Sequence, residues 1–284
     1  MKTTFFTDDA GAILSEKLNC LSIKNEYIVN EEMDNERLTN ATVTRTIFTN
    51  VSLKQAEVDH CNFSYSIFIN CYFRGTKFSS CDFTGCKFIE CNFRAATLIS
   101  CQLRYSSWNR TYVDQSTLLA NVPSYHNQAQ ELLISLRTNA TSIGQYEDSR
   151  KYFYEAEKHS RGHRFDIVLG LTPYYRDKYS VSQRVGAIYS LVKSTIDRLF
   201  WGYGEQPGRL LCCGALGVIV FALVYMQTMS IGFWGALKIS LSALAGNHSQ
   251  ENNWWLISES LLGLIYIAFL AASLHRRIST RRDR

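Results

Sequence analysis

Cysteine is the most reactive residue type in this chain of 284 residues, which contains nine cysteines. A metal site would place them in Cys-x2-Cys pairs or among several histidines. No such pair occurs, and only one cysteine, Cys61, has a histidine beside it, His60. Six are instead separated by five or ten residues: Cys61, Cys71, Cys81, Cys86, Cys91 and Cys101. This regular spacing indicates that the thiols pack in a core. Free thiols also fit a reducing compartment.

No other set of residues resembles an active site. The six histidines are scattered, and the sequence has no Gly-x-Ser-x-Gly, no phosphate-binding loop and no paired metal ligands. We therefore expect a protein that is not an enzyme and that binds no cofactor or metal ion. The first residues also lack the apolar segment of a secretory signal.

The six cysteines belong to a five-residue repeat. A large apolar residue recurs at every fifth position from Leu38 to Leu118, and from Ala41 to Ser116 the residue two positions before it is small. The most regular large residues are Phe63, Phe68, Phe73, Phe78, Phe83, Phe88 and Phe93. A period of five fits neither helix nor strand. It fits a chain that turns a corner every five residues, so we predict a parallel β-solenoid of roughly four coils with these residues in its core.

The repeat resembles that of the pentapeptide-repeat family, with the consensus Ala-(Asp/Asn)-Leu-X-X. In this chain phenylalanine often replaces leucine, and cysteine often replaces alanine. The resemblance implies a right-handed quadrilateral parallel β-helix over residues 38–120, after an amino-terminal cap with early irregular repeats over residues 1–37. Some members imitate DNA, which requires an acidic surface. Residues 41–120 carry 8 Lys/Arg and 5 Asp/Glu, a net charge of +3, so we expect neither DNA mimicry nor nucleic-acid binding.

A helical linker is predicted over residues 121–200. Apolar spacing indicates one helix capped by Ser124 and a second that ends near Gly162, which together form an αα-hairpin. A third, amphipathic helix is predicted over residues 178–200. The aromatic and basic residues that follow it suit a membrane interface.

Residues 201–284 predict two membrane spans. Leu210–Met226 carries no charge, and Trp254–Leu274 carries only Glu259. Arginines precede the first span and follow the second, so the positive-inside rule places both termini and the solenoid in the cytoplasm. Between the spans, Ile231–Ala245 is apolar but too short to cross a membrane. We interpret it as a re-entrant, pore-helix-like segment.

This region resembles the two-span pore domain, related to the potassium-channel fold, that follows pentapeptide repeats in some bacterial membrane proteins. The matching sequences are GYGE-x-P-x-R at 202–209, ALKISLSAL at 236–244, and Glu259-x-x-x-Gly263 with residues 268–277. The helical linker is similar too, at residues 144–157. The resemblance implies an ion channel in the bacterial inner membrane. One chain cannot enclose a pore, so a homo-oligomer is required, most simply a tetramer.

Selectivity for potassium is not predicted. The filter sequence Thr-Val-Gly-Tyr-Gly is absent between the spans. Gly202-Tyr203-Gly204 precedes the first span, so we interpret it as a membrane-entry turn. The candidate pore-lining residues are Ser242, Ala243, Leu244, Ala245, Gly246, Asn247 and Glu259.

Two charged residues of this region each have two interpretations. Glu259 is either an interfacial carboxylate, which Lys238 could pair, or part of a ring that concentrates cations. Lys238 either extends its amine to the membrane surface or contributes to selectivity. For the whole chain, the alternative to a channel is a scaffold whose spans only anchor the solenoid to the lipid bilayer, with a protein partner bound to the solenoid.

Overall fold

The computed structural model describes residues 22–170, 172–204, 206–245 and 254–282 of the chain. The chain divides into two compact units, residues 1–178 and residues 179–284. The strands of the first unit are β1 (Ser22–Lys24), β2 (Tyr27–Val29), β3 (Arg37–Thr39), β4 (Thr42–Thr44), β5 (Ile47–Thr49), β6 (Glu57–Asp59), β7 (Ile67–Ile69), β8 (Lys77–Ser79), β9 (Lys87–Ile89), β10 (Asn92–Phe93), β11 (Thr97–Ile99), β12 (Ser107–Asn109) and β13 (Tyr112–Val113).

Its helices are α1 (Gln115–Leu119), α2 (His126–Ser142), α3 (Tyr146–Leu169) and α4 (Pro173–Lys178). The second unit contains α5 (Val181–Phe200), a 3-10 turn (Gly202–Gly204), α6 (Pro207–Met229), α7 (Phe233–Leu244) and α8 (Trp254–Arg282).

The strands form a parallel β-solenoid whose coils are twenty residues long. Phe48 pairs with Phe68, and Phe68 pairs with Phe88. Four faces result, the most regular being a five-stranded sheet in the order β12-β9-β7-β5-β2. The solenoid has about five turns, one more than predicted. The irregular repeats from Ser22 onwards also form a coil, since β1 pairs with β4.

The backbone conformation at the corners explains which residue types stand between the strands. One residue in five adopts a left-handed backbone conformation, from Asn25 (φ 61°) to Arg110 (φ 46°). Asparagine tolerates this conformation better than most residues, and glycine adopts it without strain. The early corners are accordingly rich in asparagine, and Gly75 and Gly85 occupy two later ones.

Large and small residues fill the core in alternating positions. The rings of Phe48, Phe68, Phe88 and Trp108 stack in one column, with adjacent centroids 4.6, 5.1 and 4.3 Å apart. The phenylalanines predicted for the core are at most 4% exposed, and the six cysteines at most 6%. Each of these thiols contacts a carbonyl oxygen 23 residues earlier, as Cys86 does at 3.0 Å from Phe63. The small position therefore stabilises the stacking of coils as well as leaving room for the rings.

Two asparagines close the carboxyl-terminal edge of the solenoid. Asn121 accepts a hydrogen bond from the Cys101 amide and donates one to the Leu98 carbonyl, both at 2.8 Å. Asn139, on α2, accepts a hydrogen bond from the Thr111 amide and donates one to the Thr111 carbonyl, both also at 2.8 Å. Each side-chain amide thus replaces the peptide group that a further coil would supply.

The αα-hairpin covers this edge with apolar side chains. Leu132, Leu133 and Leu136 of α2 belong to the same buried cluster as the phenylalanines. The hairpin differs in detail from the prediction. Helix α2 begins at His126 with Tyr125 as its N-cap. Helix α3 continues past Gly162 to Leu169.

Gly162 lies inside helix α3, where it has a packing role. A Cβ atom there would lie 2.6 Å from the His126 ring, so glycine permits close approach of the two helices. The helix ends at Gly170, whose backbone is left-handed (φ 57°). The third predicted helix is α5, which starts three residues later than predicted, at Val181, where Ser180 and Gln183 form a capping box.

Candidate functional site

Two helices of the second unit are long and apolar enough to cross a membrane. They are α6, with 23 residues, and the part of α8 from Trp254 to His275, with 22 residues. Only 22% of the apolar window of each is buried within the chain. The shorter apolar helix α7 packs against both. Most of the apolar surface of α6 and α8 is thus free for lipid or for other chains.

A buried carboxyl group joins these three helices. Glu259, on α8, is 2% exposed. Tyr225, on α6, donates a hydrogen bond to Glu259 Oε2, with 2.7 Å between the oxygens. Ser240 Oγ, on α7, contacts Glu259 Oε1. We call Tyr225, Ser240 and Glu259 the carboxyl junction.

The hydrogen-bond geometry favours a protonated carboxyl group at Glu259. Ser240 Oγ also lies 3.1 Å from the carbonyl oxygen of Val218, which can only accept a hydrogen bond. Serine has one hydroxyl hydrogen and cannot donate it both to Val218 and to an ionised Glu259. Both contacts are hydrogen bonds when Glu259 is protonated and donates to Ser240. A neutral group also avoids the high cost of a buried, unpaired charge.

Small residues let α7 and α8 approach each other closely. A Cβ atom at Gly263 would lie 2.8 Å from the carbonyl oxygen of Leu244. Ser260 Oγ lies 3.0 Å from the Ala243 carbonyl oxygen and 2.8 Å from the carbonyl oxygen of Leu256 in its own helix. Ala236 and Ala243 are completely buried. Small residues and interhelical hydroxyl bonds are typical of helices that associate in lipid.

The predicted pore-lining residues of the α7 region lie in different environments. Ala243 is buried among the three helices, and Leu244 lies against Gly263. Ser242 is half-buried and donates to a carbonyl of its own helix, whereas Ala245 is exposed. The remaining two, Gly246 and Asn247, lie outside the described residues. The backbone of α7 is helical to Leu244.

Glu259 has partners that sequence reasoning missed. The predicted pairing with Lys238 does not occur, because Lys238 is exposed and the carboxyl oxygens contact the hydroxyl groups of Tyr225 and Ser240. A cation-concentrating ring of Glu259 stays a prediction about an assembly. Tyr225 and Ser240 could not be identified as partners from residue spacing, because they and Glu259 belong to three different helices. The signal available was a carboxylate in an apolar segment, which requires polar partners.

The turn before α6 connects three elements of the second unit. Tyr203, with φ 58°, places its hydroxyl 3.0 Å from Ser194 Oγ on α5. Ser273, on α8, donates a hydrogen bond to the Gly204 carbonyl at 3.3 Å. The Gly-Tyr-Gly sequence therefore joins α5, α6 and α8 at the start of the first candidate span. It lies away from the segment between the spans, where a selectivity filter would be.

The six buried thiols of the solenoid serve as packing groups. Burial raises the pKa of the Cys86 thiol well above its usual range, which disfavours the reactive thiolate. The cysteines of the solenoid are free. In the described part of the chain, no group of three or more His, Cys, Asp or Glu side chains could hold a metal ion.

Residues 41–118 match the family model described as "Pentapeptide repeat region". The solenoid is thus a pentapeptide-repeat region, in agreement with the period and the two positional rules of the sequence. No curated protein matches the chain. The second unit lies outside the matched residues.

Solved structures of pentapeptide-repeat proteins resemble part of the chain. One is Rfr23 from the cyanobacterium Cyanothece 51142, at 13% identity over 37% of this chain and 84% of that one, with a TM-score of 0.31. Another is HetL, involved in heterocyst differentiation regulation in Nostoc sp. strain PCC 7120, at 16% identity over 37% and 46% of the two chains, with a TM-score of 0.23. A third is QnrB1, a plasmid-mediated fluoroquinolone resistance protein, at 12% identity over 36% and 69%, with a TM-score of 0.16.

Proposed function

We propose that this protein is a homo-oligomeric ion channel of the bacterial inner membrane. In this proposal α6 and α8 are the two spans of each subunit, α7 is a re-entrant helix, and four chains surround the pore. The pentapeptide-repeat domain lies in the cytoplasm and serves assembly or sensing. The protein has no enzymatic activity and needs no cofactor.

The carboxyl junction carries this proposal. A chain that is only anchored needs two apolar helices and nothing between them. Here a third apolar helix, of 12 residues, packs against both spans and is tied to them by Glu259 and by the close contact at Gly263. A short helix held at membrane depth needs protein around it. Burying a carboxyl group costs desolvation free energy, and in return its hydrogen bonds fix the position of α7 between the two spans.

A membrane location is further supported by α5. This helix has one face of large apolar side chains that are 48% to 78% exposed: Val181, Val185, Ile188, Tyr189, Val192, Ile196, Leu199 and Phe200. Its opposite side packs through Ala187, Leu191 and Ser194. An exposed apolar helix face just before a span suits the interface between lipid headgroups and acyl chains.

A membrane-anchored scaffold remains the second candidate function. The pentapeptide-repeat region favours it, because solenoids offer long surfaces for protein partners. The two functions differ in one measurable property: only the channel conducts.

Ion flux from liposomes that contain the purified full-length protein tests the proposal. The sharpest variant is Gly263→Ala, because the added methyl group meets the backbone oxygen of Leu244 and displaces α7. The matched control is Gly217→Ala in α6, where a Cβ atom meets nothing within 4 Å. We expect flux from the wild type and the control, and at least about tenfold less from Gly263→Ala, since about 1.4 kcal/mol against the conducting arrangement suffices. A folded wild-type oligomer without flux would favour the scaffold.

A further inference from the structure

One face of the solenoid is apolar on its outer side. It is the five-stranded sheet β12-β9-β7-β5-β2, in which the central residue of each strand points into the core. The flanking residues point outwards, and six of them are apolar: Tyr27, Val29, Ile47, Ile67, Ile69 and Ile89. We call these six residues the apolar face. They occupy four adjacent strands. Tyr27 and Val29 are 64% and 46% exposed, and the four isoleucines are half-buried.

The other three faces lack such a continuous surface. The face of β3, β6, β8 and β11 has mainly polar outer residues, and Ile99 at its end is isolated. Elsewhere two exposed aromatic rings, Tyr72 and Tyr112, lie beneath cations, with Lys54 5.9 Å and Arg94 4.5 Å from the ring centroids. The apolar character thus belongs to one side of the rod and not to the repeat itself.

The edge of the apolar face is polar and ordered. At the corner that follows it, Asn50 donates to the Asn30 side chain at 2.9 Å and Asn70 donates to Asn50 at 2.8 Å. An apolar centre with a polar rim is the usual anatomy of a protein interface. Lys87, on β9, is the one charged residue among the ten outward positions of this sheet. The sheet therefore offers a partner mainly apolar contacts.

We propose that the apolar face is the surface through which the pentapeptide-repeat domains of two copies of this chain pair. A flat sheet whose outward residues are mainly apolar can pair with a second copy of itself, and two sheets pack face to face about 10 Å apart. A two-fold axis through the face would bring the central strands, β5 and β7, of one copy against those of the other.

The size of the face agrees with pairing between copies that the membrane already holds together. Four strands at about 4.8 Å spacing and three residues in length cover roughly 200 Å². A stable dimer in solution needs about 800 Å² from each partner. Chains that share a ring of spans have effective concentrations in the millimolar range, at which a small interface suffices. The pairing therefore rests on the homo-oligomer of the proposed function, but not on whether that oligomer conducts ions.

Cross-linking of the full-length protein tests the pairing. Cys20, Cys212 and Cys213 are first replaced by serine, which leaves the six buried thiols of the solenoid. Ile69→Cys then places a thiol near the two-fold axis, and a short bis-maleimide should link two copies through it. The matched control is Ile99→Cys, which occupies the same strand position on another face and is 58% exposed. We expect at least about tenfold more cross-linked dimer from Ile69→Cys.

A second substitution tests whether contact between two apolar faces produces the cross-link. Ile47→Asp, added to Ile69→Cys, places two carboxylates in each pair of faces and should abolish the cross-link. Ile99→Asp, added in the same way, should leave it unchanged. Both positions face outwards, so circular dichroism should show a folded solenoid in each case.

The outcomes separate this proposal from the proposed function. Equal cross-linking of Ile69→Cys and Ile99→Cys, or a cross-link that survives Ile47→Asp, would overturn the pairing surface whether or not the protein conducts. A specific cross-link in a protein that conducts no ions would support the pairing and contradict the channel.

Discussion

Glu259 offers the sharpest test of how the second unit is held together. If the carboxyl group is a neutral bridge between helices, glutamine can replace it. The amide oxygen of Glu259→Gln can accept from Tyr225, and its amide nitrogen can donate to Ser240, which still donates to Val218. We expect Glu259→Gln to change the free energy of unfolding by less than about 1 kcal/mol.

Alanine at the same position should be much more harmful. Glu259→Ala leaves the Tyr225 hydroxyl without its partner, at a cost of about 1–3 kcal/mol, although interhelical hydrogen bonds in membranes are often weaker, near about 0.6 kcal/mol. The cavity left by the lost side chain adds to this cost. A total of about 2 kcal/mol corresponds to a factor of roughly 30 in the unfolding equilibrium.

The assay is equilibrium unfolding of the purified protein in mixed micelles, with the reversal potential measured in parallel for any conducting preparation. A neutral bridge predicts wild-type stability and an unchanged reversal potential for Glu259→Gln. The alternative ring of ionised Glu259 side chains predicts that the same variant loses cation preference. Equal destabilisation by glutamine and alanine would refute the assignment of a proton to Glu259.

Three further predictions concern the first unit. Asn139→Ala removes both hydrogen bonds to the Thr111 backbone and should lower the free energy of unfolding by about 3 kcal/mol, measured by chemical denaturation. Phe88→Ala interrupts the column of stacked rings and should cost about 3–5 kcal/mol in the same assay. Burial and the neighbouring His126 lower the pKa of His159. The His159 side chain is neutral at higher pH in both the folded and the unfolded protein, so the free energy of unfolding should fall as the pH drops below the pKa of histidine in the unfolded chain, about 6.5. Unfolding measured at pH 7.5 and 5.5 should show this decrease, and His159→Gln should reduce it.

Neighbouring substitutions serve as controls for these predictions. Thr138→Ala alters an exposed position of α2 next to Asn139, and Lys87→Ala an exposed position next to Phe88. Each should leave stability within about 0.5 kcal/mol of the wild type. Loss of stability in these controls equal to that of Asn139→Ala or Phe88→Ala would contradict the roles given to the asparagine cap and the ring column.

The repeat could be recognised from the sequence because each coil repeats the same local rule. A large residue, a small residue two positions earlier and a left-handed corner recur every five residues, so position along the chain determines which side chains face inwards. The amino-terminal coil was underestimated because glutamate replaces the small residue two positions before its core residues, at Glu26, Glu31 and Glu36. The extent of α3 was misjudged for another reason: Gly162 breaks helices by propensity, but its contact with His126 is a property of the packed hairpin.

The sequence by itself determined the solenoid, the lengths of the two apolar segments and the presence of a carboxyl group within one of them, since these depend on local periodicity and hydrophobicity. Only the tertiary structure decided what Glu259 touches, which residues close the solenoid edge and which side of the rod is apolar. Tyr225 and Ser240 lie 34 and 19 residues from Glu259, and Asn139 lies 28 residues from Thr111. Contacts between residues so far apart depend on how separate elements pack, and no local pattern records that packing.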